Sequence, residues 1–170
     1  HENERVALFE TAPVFLKDIS TAGLDDGIGG KMPYQPVHSA YVYSHKNEKN
    51  SFAYIKDCVK NIFGAHGFKF EFVAPVKRQE WWHSGKSVSI RYNGKIVGYI
   101  TVMNSRTQLI FGLHNETAVA EINLSELFNM EPRAKLYQTI SQFPKITRDV
   151  GLIVDESKKY ADIVAAFLKE

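Results

Sequence analysis

Apolar and polar residues alternate along much of this chain, a pattern typical of strands with one buried face. The alternation predicts strands at residues 37–43, 68–73, 87–92, 95–103, 117–124 and 147–154. Residues 5–16 are also strand-like, in two short arms, and Pro13 between the arms indicates a bulge or a sheet edge. Residues 18–36 are rich in Gly, Asp and Pro, and we predict that they form a loop.

A spacing of three and four residues predicts the main helix, over residues 51–63. Its apolar stripe consists of Phe52, Ile55, Val59 and Ile62. Asn50 or Ser51 can cap the start of this helix, and Gly64 or Gly67 can end it. Shorter helices are predicted at residues 105–113, 125–128 (with Ser125 as the cap) and 160–168.

Asn93-Gly94 joins the strands predicted at residues 87–92 and 95–103. This pair is favoured in two-residue turns because both positions need positive φ, so the segment is predicted to be a β-hairpin. Several strands with hairpin connections and few helices predict an α+β fold, in which helices flank an antiparallel sheet.

Composition narrows the class of protein. The chain has 170 residues, of which 44% are hydrophobic, and a formal net charge of +2. It can therefore bury a core, and it is no polycation that binds nucleic acid without specificity. The single cysteine, Cys58, excludes an intrachain disulfide and a Cys-based zinc cluster and fits a cytosolic location. No apolar run approaches the roughly twenty residues of a membrane span.

The segment from residue 80 to residue 100 holds the densest set of reactive side chains. His83 with Ser87 is the base-and-nucleophile pair that a hydrolase would need. Residues four apart at the start of a strand rarely meet that geometry, so a hairpin end without chemistry is the favoured interpretation. Gly85-Lys86-Ser87 is not a phosphate-binding loop, because the earlier glycine of that motif is missing and a strand follows.

The remaining candidates are weaker. The GIGG run, with glycines at positions 27, 29 and 30, precedes prolines rather than a helix, and the six histidines show no metal-ligand spacing. The adjacent Trp81 and Trp82 are predicted to face opposite sides of a strand, one of them towards a partner. Solvated turns are the favoured interpretation of the carboxylate pairs Asp25–Asp26 and Asp155–Glu156. A basic cluster near the C-terminus, a candidate for contacts with RNA phosphates, consists of Lys145, Arg148, Lys158 and Lys159.

Six segments match, in order, the motifs of a known family. They are VALFETAPVFL (6–16), FAYIK (52–56), HSGKS (83–87), GKIVG (94–98), VAEINL (119–124) and FPKITRDV (143–150). In these segments the chain resembles the beta subunits of phenylalanine–tRNA ligase, with Ser84 in place of the usual proline. The positions that carry the central motif are His83, Gly85, Lys86, Ser87, Asn93, Gly94 and Gly98.

The resemblance implies a class II synthetase-like domain over residues 1–130 that lacks an active site. It further implies a linker over 131–140 and, over 141–170, the first strand and helix of a ferredoxin-like anticodon-binding domain. The family's beta subunits are several times longer, and this chain opens without Met and stops on a helical pattern, so we expect a piece of a longer protein. In this family the alpha subunit carries out catalysis, in an (αβ)2 assembly that uses ATP and Mg and binds tRNA. We expect no catalytic residue, metal or cofactor in this chain. We expect a cytoplasmic location without membrane association.

One feature of the sequence agrees with lost catalysis. A working class II site needs an arginine two residues before a strand glutamate to hold the ATP phosphates, and Leu8-Phe9-Glu10 lacks it. The favoured function is therefore non-catalytic support of phenylalanine attachment to tRNA, through subunit assembly and tRNA positioning. The alternative is a stand-alone RNA-binding or regulatory module that uses the C-terminal basic cluster.

Overall fold

Most of the alternating segments form strands of one large sheet. The computed structural model describes residues 4–25, 31–47, 50–132, 146–155, 157–158 and 160–167. The strands in this part of the chain are β1 (Arg5–Pro13), β2 (Leu16–Asp25), β3 (Lys31–Tyr34), β4 (Val37–His45), β5 (Glu71–Val73), β6 (Trp82–Tyr92), β7 (Lys95–Met103) and β8 (Thr117–Asn123). The helices are α1 (Ser51–Ala65), α2 (Ser105–Ile110), α3 (Leu124–Phe128) and α4 (Tyr160–Phe167).

Six strands make an antiparallel sheet in the order β1–β4–β8–β7–β6–β5, and β2 pairs with β3 in a separate ribbon. The predicted α+β class is thereby confirmed. Pro13 ends the edge strand β1, as its missing N–H requires. The chain divides into two units, residues 1–135 with the sheet and α1 to α3, and residues 136–170 with α4. Within the described ranges, each helix is too short or too polar to cross a bilayer.

The core lies between α1 and one face of the sheet. The helix packs across β8, β4 and β7, and its buried side chains include Ile55, Val59 and Phe63. Burial of each such side chain stabilises the fold by about 1.5–3 kcal/mol. The predicted stripe is correct except at its end, where Ile62 is 45% exposed and Phe63 is buried in its place. The buried residues Ile55, Val59 and Phe63 are four apart. The last buried position is therefore Phe63, and not Ile62 as a spacing of three would predict.

Local signals for turns and caps are confirmed in most places. Asn93 and Gly94 have φ values of 47° and 82°, as the two-residue turn between β6 and β7 requires. Asn50 caps α1, since its side chain accepts the Ala53 N–H at 3.2 Å. Gly67, with a φ of 89°, follows the end of the helix, whereas Gly64 lies inside it.

Four predictions of local structure are wrong in whole or in part. Residues 18–25 and 31–34 are not a loop, because they belong to β2 and β3, which pair through the backbone with two register shifts that alternation does not reveal. The strand predicted at 68–73 is only β5. Asn123 caps α3 instead of Ser125, whose hydroxyl accepts the Val37 N–H at 2.9 Å. Residues 147–154 form no strand, since a strand needs a partner and no described residue pairs with them.

Candidate functional site on the open face of the sheet

A row of polar side chains crosses the sheet face that α1 leaves uncovered, which we call the open face. Ala120 and Ile122 of β8 are buried in the core, so Glu121 between them points to the open face. One carboxylate oxygen of Glu121 lies 2.6 Å from His38 Nδ1 on β4, and the other accepts the hydroxyl of Tyr99 on β7. This carboxylate therefore joins three neighbouring strands.

The environment of Tyr99 keeps its hydroxyl protonated. Burial, followed by the hydrogen bond to Glu121 and the negative charge of that carboxylate, holds the pKa of Tyr99 well above its usual range. The phenol is thus a permanent donor to Glu121 rather than a base. His38 presents Nδ1 to the same carboxylate, and its buried Nε2 has no hydrogen-bond partner among the described residues. The arrangement stabilises one carboxylate and leaves one buried imidazole nitrogen without a partner among the described residues.

Three aromatic rings continue the open face beyond this row. The ring of Tyr99 lies 4.6 Å from that of Trp82 and 6.0 Å from that of Trp81, centroid to centroid. The two tryptophans also contact each other edge to face at 6.1 Å. The prediction that they face opposite sides is wrong, because Trp81 lies in the turn before β6 and is not bound to strand alternation. Trp82 is buried, and no described residue bonds its Nε1.

A cavity of about 340 Å³ lies beside the rings of Trp82 and Tyr99. Its other walls are Ser89 of β6, Ile96 and Gly98 of β7, and the segment 76–79. That segment is tied down where the Val76 N–H donates to Ser89 Oγ at 3.1 Å. Lys77 and Arg78 line the cavity and make no ion pair with any described residue.

His83 and Ser87 do not form a catalytic pair. The Ser87 hydroxyl donates to the backbone carbonyl of His83 at 2.7 Å and shares a second hydrogen bond with the Thr101 hydroxyl, also at 2.7 Å. His83 Nδ1 accepts the Gly85 N–H at 3.0 Å. A nucleophile needs its base within hydrogen-bond reach, and here both side chains are used to shape the strand. The hydrolase interpretation is therefore discarded.

Lys86 has a structural contact of its own. Its ammonium group pairs with Glu116, whose other carboxylate oxygen accepts the Ser51 N–H at 3.1 Å. The backbone carbonyl of Glu116 accepts the Ser51 hydroxyl at 3.0 Å. Since an N-terminal N–H of a helix has no intrahelical acceptor, these contacts tie β6 to the start of α1. Lys86 thus helps to hold the helix against the sheet, and it lies on strand β6 rather than in a phosphate-binding loop.

The glycine motif reflects close packing of two strands. A Cβ atom on Gly98 would lie 2.2 Å from the carbonyl oxygen of Glu121, so only glycine fits where β7 passes β8. Gly94 supplies the second positive φ of the hairpin turn. The motif residues are therefore spread along the β6–β7 hairpin, from the start of β6 through the turn to Gly98, and none of them belongs to the row formed by His38, Glu121 and Tyr99.

The C-terminal basic cluster is only partly described. Arg148 and Lys158 are exposed, whereas Lys145 and Lys159 lie outside the described residues, as do Asp26, Glu156 and residues 27–30. Asp155 accepts hydrogen bonds from the side chain and the backbone of Ser157, which lower the pKa of its carboxyl group. No cluster of potential metal ligands occurs in the part of the chain that the structure describes.

Comparison with known proteins decides the family. Residues 1–124 match the family described as phenylalanyl tRNA synthetase beta chain CLM domain. The chain belongs to this family. A phenylalanine–tRNA ligase beta subunit of Geobacillus kaustophilus is 28% identical over 158 residues, which are 91% of this chain and 19% of that protein. One of Streptococcus agalactiae is 31% identical over 124 residues, 73% of this chain and 15% of that protein.

The CLM domain also shares its fold with a solved synthetase. A pyrrolysyl tRNA synthetase of Desulfitobacterium hafniense superposes with a TM-score of 0.52 over 74% of this chain and 41% of its own, at 10% sequence identity. That likeness concerns the fold alone, and it agrees with the predicted synthetase-like sheet. The chain spans between 15% and 20% of the length of the curated relatives that it matches.

Sequence reasoning missed the residues of the open face. Glu121 drew notice only as part of a matching strand, and His38, Tyr99, Lys77 and Arg78 were not singled out. One signal was available, since Tyr99 and Glu121 interrupt apolar strands at positions that alternate with core residues. Pairing of β4, β8 and β7 is what brings the polar positions together, and this pairing is not visible in a single sequence.

Proposed function

We propose that this CLM domain is a non-catalytic part of a phenylalanine–tRNA ligase beta subunit. It supports the ATP-dependent attachment of phenylalanine to its tRNA by assembling with an alpha subunit and by helping to position the tRNA. The observation that carries the proposal is the family match over residues 1–124. ATP and Mg serve the whole ligase, which we place in the cytoplasm, and this domain holds neither of them.

The arginines of the sheet support the proposal that the domain lacks adenylation chemistry. A phosphate clamp needs guanidinium groups that are free to meet the developing charge. The described strands contain Arg5 and Arg91. The Arg5 guanidinium donates to the Tyr54 hydroxyl at 2.7 Å and lies over two tyrosine rings, while Arg91 lies 3.8 Å from a carboxylate oxygen of Glu71. Each of these two guanidinium groups is therefore engaged by another side chain of the domain.

Exposed apolar side chains support a role within an assembly. Leu8 and Phe9 on the edge strand β1 are 65% and 76% exposed. Leu109, Ile110 and Phe111 at the end of α2 are more than 60% exposed as well. Contiguous exposed apolar residues mark interaction surfaces in soluble proteins. An alpha subunit in an (αβ)2 assembly is the partner that we propose, and the second unit of the chain is proposed to begin a ferredoxin-like anticodon-binding domain.

Two measurements test this function. The purified chain should show no phenylalanine-dependent exchange between ATP and pyrophosphate, with an intact ligase of the same source as the positive control. Co-expression with the alpha subunit should yield a complex that survives size-exclusion chromatography. Robust exchange by the isolated chain, or no complex with the alpha subunit, would contradict the proposal.

The RNA-binding alternative has its own readout. Arg148 and Lys158 are exposed cations in the second unit. Binding of tRNA to the isolated chain, measured across a salt series, should be weak under the favoured function. Submicromolar affinity that falls steeply with salt, and that Arg148→Gln reduces, would favour the stand-alone module instead.

A further inference from the structure

Two positively charged side chains line the cavity beside Trp82 and Tyr99, and no described carboxylate forms an ion pair with either of them. Lys77 and Arg78 line it, and neither pairs with an acidic residue of the described chain. None of the residues that line the cavity is acidic. Glu121, which pairs with Tyr99 across β7 and β8, already accepts hydrogen bonds from Tyr99 and His38. The cavity is therefore electropositive and suited to an anion.

The floor of the cavity offers a fixed hydrogen-bond donor. Ser89 is buried, at 3% exposure, and its oxygen accepts the Val76 N–H. A serine hydroxyl is both an acceptor and a donor, so its own hydrogen is free to point into the cavity. Ser89 pairs with Tyr99 across β6 and β7, which places it at the foot of the aromatic wall. A carboxylate or phosphate oxygen is the acceptor that suits such a donor in a cavity that Lys77 and Arg78 also line.

The remaining walls are apolar and flat. The rings of Trp82 and Tyr99 form one side, and Ile96 and the uncovered backbone at Gly98 form another. A volume of about 340 Å³ is at the lower end of the range for small-molecule sites. This volume accommodates a bicyclic ring with one charged group. The aromatic and apolar walls favour a ring over a fully solvated ion.

We infer that this cavity binds an oxyanion attached to a flat apolar body, an aryl carboxylate or an aryl phosphate. Lys77 and Arg78 bind the charged group, Ser89 donates to it, and the rings of Trp82 and Tyr99 contact the apolar body. The inference rests on the contents of the cavity and is independent of the proposed role in the ligase.

The chain supplies its own reporter for a test. Its only two tryptophans are Trp81 and Trp82, so a nitrogen-15 spectrum holds two indole N–H signals. Loss of one signal in Trp81→Phe assigns the other to Trp82. The full chain is titrated with 1-naphthoate, 1-naphthyl phosphate, inorganic phosphate and, as a neutral analogue, 1-naphthalenemethanol. The Trp82 signal should shift saturably with the two aryl oxyanions, and at least tenfold higher concentrations of the other two should be needed.

Matched double variants complete the design. Lys77→Gln with Arg78→Gln should weaken binding of the aryl oxyanions at least tenfold, because both cations face the cavity. Lys60→Gln with Arg106→Gln removes the same charge from exposed positions elsewhere and should leave the affinity unchanged. The tighter of the two aryl ligands identifies the source as a carboxylate or a phosphate. Absence of a saturable shift, equal shifts with the neutral alcohol, or equal losses in the two double variants would overturn the inference.

Discussion

Replacement of Gly98 by alanine tests the closest backbone approach in the sheet. The added Cβ would lie 2.2 Å from the Glu121 carbonyl oxygen and 3.0 Å from Ile122 Cα, whereas ordinary contact begins at 3.4 Å. Both atoms belong to the backbone of β8, so no flexible side chain can move aside. Relief requires β7 and β8 to separate near the middle of the sheet, with loss of ladder hydrogen bonds. Overpacking of this kind costs about 3 kcal/mol.

Gly64 is the matched control for this substitution. A Cβ there meets nothing within 4 Å, and the residue lies inside α1. Gly64→Ala should therefore stabilise the fold by about 0.5–1 kcal/mol, because alanine is the better helix former. Both variants are to be unfolded in urea and followed by the fluorescence of Trp81 and Trp82, which report on the sheet. Should Gly98→Ala unfold within 0.5 kcal/mol of the parent chain, with an unchanged denaturant slope, the close-approach reasoning is refuted.

Three further predictions concern hydrogen bonds and charge. The raised pKa of Tyr99 means that the folded chain keeps a proton that the unfolded chain loses near pH 10, so stability should be full below pH 10 and should fall as pH rises above it. Urea midpoints at pH 8 and above 10 should show a smaller fall in Tyr99→Phe, and an equal fall would contradict this. Asn50→Ala removes the cap of α1 and should cost about 1 kcal/mol in the same assay, while a loss under 0.3 kcal/mol would count against the cap. Glu116→Gln removes the charged partner of Lys86 and should cost about 0.5–1 kcal/mol, with a smaller loss in 1 M salt, and a salt-independent loss would rule out the charge as its cause.

Elements whose signals are local were predictable from single stretches of sequence. Asn93-Gly94 tolerates the positive φ values that the turn requires, since Gly has no Cβ and Asn adopts the left-handed region readily. The helix from Ser51 follows from apolar spacing with Asn50 as its cap. The edge position of β1 follows from Pro13, whose nitrogen cannot donate. Family membership was also readable, since several short motifs kept their order, and the match over residues 1–124 confirms it.

Predictions failed where pairing partners decide the structure. Residues 147–154 alternate as a strand does, yet no described strand pairs with them, and alternation alone does not form a ladder. Residues 16–25 and 31–34 lack a clear alternation and still pair as β2 and β3. Trp81 and Trp82 contact the same tyrosine ring, because Trp81 lies in the turn before β6 and only Trp82 belongs to the strand.

By itself, the sequence determined most of the sheet strands, the main helix, the hairpin turn and the family, because each depends on residues near one another in the chain. Tertiary structure alone decided the open face. His38 and Glu121 are 83 residues apart in sequence, and they meet because β4 and β8 are neighbours in the sheet. The cavity likewise exists only because the Val76 backbone is held on Ser89 beside Tyr99. The sequence specifies the chemistry of each side chain. The distance between two side chains on different strands depends on strand order, which is determined jointly by many contacts between residues far apart in the sequence.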